Sequence, residues 1–125
     1  MDWKFRNDLP IYSQLVERIK QAIVSGAMPP GARLNSVRDL ATEAGVNPNT
    51  MQRALQELER DGLVYANRTA GRFVTEDIAR IQEARKTLAA VQVRSFLEAM
   101  EKLGCDYEEI LALLAGKKEE QDTDF

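Results

Sequence analysis

The sequence has no histidine and one cysteine, Cys105, among its 125 residues. Without an imidazole, Ser-His-Asp and Cys-His nucleophilic systems, HExxH metalloprotease sites and histidine-based zinc sites are excluded within the chain. A lone cysteine can neither close an internal disulfide nor build a cysteine-rich zinc centre. Carboxylate-only chemistry passes that filter, but the chain offers neither a carboxylate pair in an identifiable cleft nor a glycine-rich phosphate loop. The expectation is therefore a protein without metal or cofactor that is not an enzyme. No stretch reaches the roughly 18 consecutive apolar residues of a membrane helix. The opening residues Met1 to Arg6 also lack the apolar run of a secretion signal. A soluble, cytoplasmic protein with no membrane partner is expected. Internal repeats and low-complexity tracts are missing too.

What the chain does contain is typical of a globular protein: 44% of its residues are apolar and 30% are charged. Its length suits one domain, or a small domain with an appendage. The net charge of −3 hides an asymmetry. Residues 1–75 carry 10 Lys and Arg against 8 Asp and Glu, whereas residues 76–125 carry 7 against 12. A mildly basic front and an acidic back fit an anion-binding module joined to something else.

Residues 1–9 read as a polar, charged arm with two aromatics, Trp3 and Phe5, suited to packing on the domain or on a partner subunit. Helical periodicity begins at Pro10, with Ile11, Leu15, Ile19 and Ile23 on one face, and ends at Ser25-Gly26. After the turn Pro29-Pro30-Gly31, a short helix starts at Ser36, where Ser36 and Asp39 have capping-box spacing. Gly45 turns the chain into a third helix, capped by Asn47 with Pro48 in the first turn, running to about Arg60. Leu63-Val64-Tyr65 and Arg72-Phe73-Val74 are strand-like runs around a polar, flexible tip, Asn67 to Gly71. Helix, helix, tight turn, helix and β-hairpin make a winged helix-turn-helix, so residues 1–75 are assigned as a DNA-binding domain of this kind.

From Asp77 to Leu103 the pattern is helical without Gly or Pro, a rod of roughly 40 Å at 1.5 Å per residue. Its apolar stripe drifts round the helix, so it must bury two faces, docking on the winged domain with one and pairing with a second copy through the other. A final helix follows Asp106, with Tyr107, Ile110, Leu111 and Leu114 on one face. Residues 76–116 are thus expected to form a helical dimerisation segment, with Ile81, Leu88, Val91, Phe96, Met100, Leu103, Ile110 and Leu114 at the dimer interface. Residues 117–125 are charged and poor in apolar residues, the composition of a disordered tail. The predicted fold class is mainly α with one small β-hairpin.

The third helix holds the chemistry. With Met51, Leu55 and Leu58 turned inward, its outer face shows Asn49, Arg53, Gln56 and Arg60, flanked by Gln52. The carboxylates Glu57 and Glu59 stand only at its edges. Arg reads guanine and Asn or Gln reads adenine in the major groove, so these are base-reading side chains. A solvated amphipathic helix also shows a polar outer face. Asn47, Asn49 and Thr50 at the helix N-terminus are candidates for phosphate contact. Arg38 on the second helix is either a phosphate clamp, as the first helix of a helix-turn-helix crosses the backbone, or a surface partner of Glu43. Arg68, Gly71 and Arg72 belong to a basic wing suited to an adjacent minor groove or its phosphates; the alternative is a turn made soluble by charge. Cys105, between Gly104 and Asp106, fits a small structural residue better than a redox sensor, as it has no basic neighbour beside it.

The blocks Pro10-Ile11-Tyr12-x-Gln14, Gly26-x-Met28-x-Pro30-Gly31-x-x-Leu34 and Ser36-x-Arg38-x-Leu40-Ala41 follow an order found in GntR-family bacterial transcription regulators. Val46-Asn47-Pro48-Asn49-Thr50-Met51-x-Arg53-Ala54-Leu55-x-x-Leu58 resembles that family's recognition helix, and Gly71-x-Phe73-Val74 resembles the end of its wing. Asn35 and Thr69 stand where the family usually has Pro and Gly, and Gln52 where some of its branches have Arg. The large ligand-binding domains of other branches do not fit the remaining 50 residues. The two trailing helices resemble the short YtrA-type subfamily, in which they imply dimerisation and which often represses ABC-type transporter operons. The resemblance implies a homodimeric repressor binding a palindromic operator in double-stranded DNA. The competing class is a winged-helix protein-interaction module that does not bind DNA. A small-molecule effector would have to bind between the C-terminal helices or where they meet the winged domain. Phe96, Met100 and Tyr107 are candidates there, with dimer core as their first assignment.

Overall fold

A computed structural model describes residue 1 and residues 3–123, with side chains as far as Lys117. The chain divides into two compact units, residues 1–86 and 87–125. Among the described residues the elements are α1 (Ile11–Val24), α2 (Val37–Ala44), α3 (Pro48–Arg60), β1 (Val64–Asn67), β2 (Gly71–Val74), α4 (Ile78–Lys102) and α5 (Tyr107–Thr123). The fold is mostly helical with one antiparallel hairpin, the winged helix-turn-helix with C-terminal helices that the pattern predicts.

Local chemistry sets the boundaries in the first unit. Ser36 Oγ accepts the Asp39 backbone N–H at 3.1 Å and opens α2. Gly45 closes α2 in the left-handed region, at φ 70°, where a side chain would be strained. Asn47 Oδ1 accepts the Asn49 N–H at 2.7 Å and opens α3. The inward stripes of α1, α2 and α3 meet around Leu15, Ile19, Ile23, Met51, Leu55 and Leu58, with Leu63 and Val74 from the hairpin side, all essentially inaccessible to water. Burying each such side chain contributes about 1.5–3 kcal/mol, so this cluster fixes how α3 sits on the domain. Gln14 is the buried polar side chain of the core among the described residues; its amide donates to the Leu9 and Arg6 carbonyls and its Oε1 accepts the Arg6 N–H. It thereby ties the N-terminal arm down, with Trp3 and Phe5 packed against the core.

β1 and β2 pair with Val64 opposite Val74 and Asn67 opposite Gly71. A third extended segment joins them. The Leu34 N–H donates to the Arg72 carbonyl at 2.9 Å and the Val74 N–H to the Ala32 carbonyl at 2.8 Å, placing Arg33 opposite Phe73. It is too short to show a period-two pattern and was missing from the sequence reading. The hairpin tip is closed by a side-chain turn. Asn67 Oδ1 accepts from the Thr69 N–H and hydroxyl and from the Ala70 N–H, an Asx-type turn.

One interface assignment needs correction in this unit. Ile81 is buried in the core of its own chain, with Ala84 packed against the same cluster. The first turns of α4 carry the docking face, so Ile81 is already covered within its own chain.

In the second unit, the later part of α4 is followed by a turn at Gly104 and then by α5. A reciprocal capping box starts α5: Asp106 Oδ1 accepts the Glu109 N–H at 2.9 Å, and Glu109 Oε1 faces the Asp106 N–H at 3.4 Å. Ile110, also expected at the dimer interface, is buried within this unit and is likewise covered by its own chain. Helix α5 continues through Gly116 to Thr123, past the expected onset of a disordered tail. Lys, Glu and Gln are strong helix formers, and no proline interrupts the run. Asp124 and Phe125 lie outside the described residues.

Candidate nucleic-acid interface

Because Met51, Ala54, Leu55 and Leu58 anchor α3 inward, helical geometry turns Asn49, Arg53, Gln56 and Arg60 to solvent, and all four are exposed. Gln52 and Thr50 are half-buried on its flanks. Asn47 is exposed, but its side-chain oxygen caps the helix. The face carries amides and guanidiniums, whose N–H donors match base edges and phosphate oxygens.

Arg53 is held rather than loose. Its guanidinium lies 4.0 Å from the centre of the Tyr12 ring on α1. A cation on an aromatic face contributes about 0.5–1 kcal/mol at an exposed site. Interaction with the Glu57 carboxylate favours the protonated phenol of Tyr12 and raises its pKa above the ordinary 10.0. In the sequence Tyr12 has a place in the block Pro10-Ile11-Tyr12-x-Gln14, next to Ile11 of the apolar stripe of α1. Its position at the edge of that stripe was the available signal, but its partner depends on how α1 packs on α3.

Around this helix stand the remaining basic groups. Arg38 is exposed on α2 and makes no ion pair among the described residues, so pairing with Glu43 does not occur. Arg68 is exposed at the hairpin tip. Arg72 is different. Its Nε donates to Glu59 Oε1 at 2.5 Å, and its side chain is only 20% exposed. The hairpin explains this, because side chains alternate along a strand and Arg72 shares the inward face of Val74. Gly71, at φ 107°, gives the wing a turn that L side chains rarely adopt, and a Cβ there would meet Arg33 Nε at 3.3 Å. Arg33 itself is exposed and was missed by the sequence reading.

Among the described residues there is no group of carboxylate and cysteine side chains able to hold a metal ion. Nor is any helix among them long and apolar enough to cross a membrane. In the second unit, Gln92, Val93, Phe96, Leu97, Tyr107, Ile110, Leu111 and Leu114 line a largely apolar groove of about 430 Å³. Six of these side chains stand partly in water although they are large and apolar. Of the other residues expected at a dimer interface, Val91 and Leu103 are exposed and Leu88 and Met100 half-buried.

A winged helix with an outward amide-and-guanidinium helix and a basic hairpin defines a DNA-binding protein of the transcription-regulator class. Residues 11–74 match the family described as bacterial regulatory proteins, gntR family. The chain is 33% identical over 106 residues to the HTH-type transcriptional repressor YtrA of Bacillus subtilis, covering 84% of this chain and 82% of that one. It superposes on a GntR family transcriptional regulator from Listeria monocytogenes with a TM-score of 0.83 at 40% identity, covering 90% of this chain and 98% of that chain. The AraR DNA-binding domain in complex with operator ORX1 is similar at a TM-score of 0.54 and 28% identity, over 58% of this chain and 93% of that one. The chain belongs to the GntR family of DNA-binding transcriptional regulators, whose members regulate transcription rather than catalyse reactions.

Proposed function

We propose that this GntR-family protein is a cytoplasmic homodimer that represses a small operon by binding a palindromic operator. The observation that carries the reading is the exposed face of α3, on which Asn49, Arg53, Gln56 and Arg60 stand clear of the core. In a helix-turn-helix this face enters the major groove and the preceding helix crosses the backbone, which assigns Arg38 to phosphate. Arg68 at the wing tip is assigned to the neighbouring groove or its phosphates.

Symmetry argues for two copies. One helix reads few base pairs, so specificity needs a second half-site about 34–36 Å away along the duplex. The apolar groove of the second unit supports the means of pairing. Phe96 (41% exposed), Leu111 (48%) and Leu114 (50%) are left in water in a single chain. A second copy covers such a surface most economically through a two-fold, self-complementary contact. Repression is the sign favoured by the similarity to YtrA, and the short-subfamily resemblance favours an ABC-type transporter operon as target.

The test is a mobility shift with the DNA upstream of the protein's own gene, alongside sedimentation of the free protein. The expected result is a shift by a dimer that weakens as salt rises, because Lys and Arg displace condensed counterions. No shift, together with a stable complex with another protein, would replace this reading with a protein-docking module.

A further inference from the structure

The wing offers three arginines, Arg33, Arg68 and Arg72, and their placement separates them. Arg72 and Val74 face inward on β2, and Arg72 is paired with Glu59 of α3. Phe73 faces outward between them, stacked on Tyr65 with ring centres 5.5 Å apart. Arg33 sits directly opposite Phe73 on the third extended segment, so it shares that outward face. Its guanidinium runs beside Gly71, with Nε 3.3 Å from where a Cβ would stand, and so extends towards the loop that carries Arg68. Arg33 is exposed and makes no ion pair among the described residues.

We infer that Arg33, and not Arg72, supplies the phosphate contact at the base of the wing, while Arg72 is a positioning residue that braces the wing against the recognition helix through Glu59. The assignment rests on the operator-binding reading above and adds a residue outside the hairpin to the DNA contact surface. A guanidinium already matched by a carboxylate releases few counterions on meeting DNA, whereas an unmatched one releases its share. Gly71 acquires a second reason to lack a side chain, since the path of Arg33 towards the tip passes over it.

The salt dependence of operator affinity tests this on the full-length protein. Each neutralised phosphate contributes about 0.9 to the slope of log affinity against log salt concentration. Arg33→Gln should lower that slope by about one unit, and Arg33→Lys, which keeps the charge, should retain it. Arg72→Gln should weaken binding with the slope unchanged, and Glu59→Gln should loosen the wing in the same way, seen as faster amide exchange in β1 and β2. A slope loss in Arg72→Gln equal to or larger than in Arg33→Gln overturns the assignment. An affinity of the unaltered protein that ignores salt overturns the operator-binding reading itself, and the assignment with it.

Discussion

The Arg53 guanidinium on α3 rests 4.0 Å from the centre of the Tyr12 ring on α1, a residue that lies outside the helix-turn-helix. The outward face of α3 is therefore supported partly by the first helix of the domain. Tyr12→Leu removes the platform and should weaken operator binding about two- to five-fold, the equivalent of about 0.5–1 kcal/mol. Tyr12→Phe keeps the ring and should stay close to the unaltered protein. Fluorescence anisotropy on one operator at fixed salt separates the two. Equal affinities for all three proteins would remove Tyr12 from the interface.

The same tyrosine predicts an alkaline signature. Its interaction with the Glu57 carboxylate favours the protonated phenol, so its folded pKa lies above 10.0. The resulting stability is fully present below pH 10 and disappears as pH rises through the folded value. Thermal unfolding of the protein and of Tyr12→Phe should therefore run parallel up to about pH 10, and the difference between them should shrink only above it. A difference that shrinks already between pH 7 and 9 would contradict the assignment.

Arg38 is exposed on α2 and free of ion pairs among the described residues. Arg38→Ala should lower the salt slope by about one unit and weaken all DNA sequences alike. Arg53→Ala should instead relax discrimination by about 1–3 kcal/mol at one base position. Random-site selection on the two variants distinguishes uniform weakening from a changed base preference.

How far the sequence could be read depended on whether a feature was local. The caps at Ser36 and Asn47 and the inward stripes of the helices are set by residues within one or two turns of each other, so periodicity and spacing reveal them. The outward set Asn49, Arg53, Gln56 and Arg60 follows from the same arithmetic. The Tyr12–Arg53 stack and the Arg72–Glu59 pair join elements that are distant in sequence, and no local pattern marks them. Arg33 was hidden for another reason. Its extended segment is held by backbone bonds from the hairpin, which leave no alternation to detect. The fate of Ile81 turned on the drifting stripe of α4. Periodicity showed two faces on that helix but not where one gives way to the other.

The cap at Ser36 offers a measurement of stability alone. Its Oγ satisfies the Asp39 N–H. Ser36→Ala should cost about 1 kcal/mol, lowering the melting temperature by a few degrees. Operator preference should remain the same, because the helix still forms once packed. A melting temperature identical to that of the unaltered protein would show that water replaces the hydroxyl at no cost.

The apolar groove of the second unit yields the sharpest prediction about assembly. Phe96 and Leu111 line it from α4 and α5, and both stand substantially exposed in one chain. A carboxylate placed there would be buried by a second copy without a partner, at a cost far above that of an exposed charge. Phe96→Glu and Leu111→Glu should each shift the protein to monomer in sedimentation while leaving the melting of the winged unit largely intact. A monomer loses simultaneous engagement of two half-sites, so operator affinity should fall by roughly two orders of magnitude or more. Affinity for a single half-site should be unchanged. Variants that remained dimeric would place the pairing surface elsewhere, and variants that became monomeric yet bound the full operator equally well would deny the palindrome.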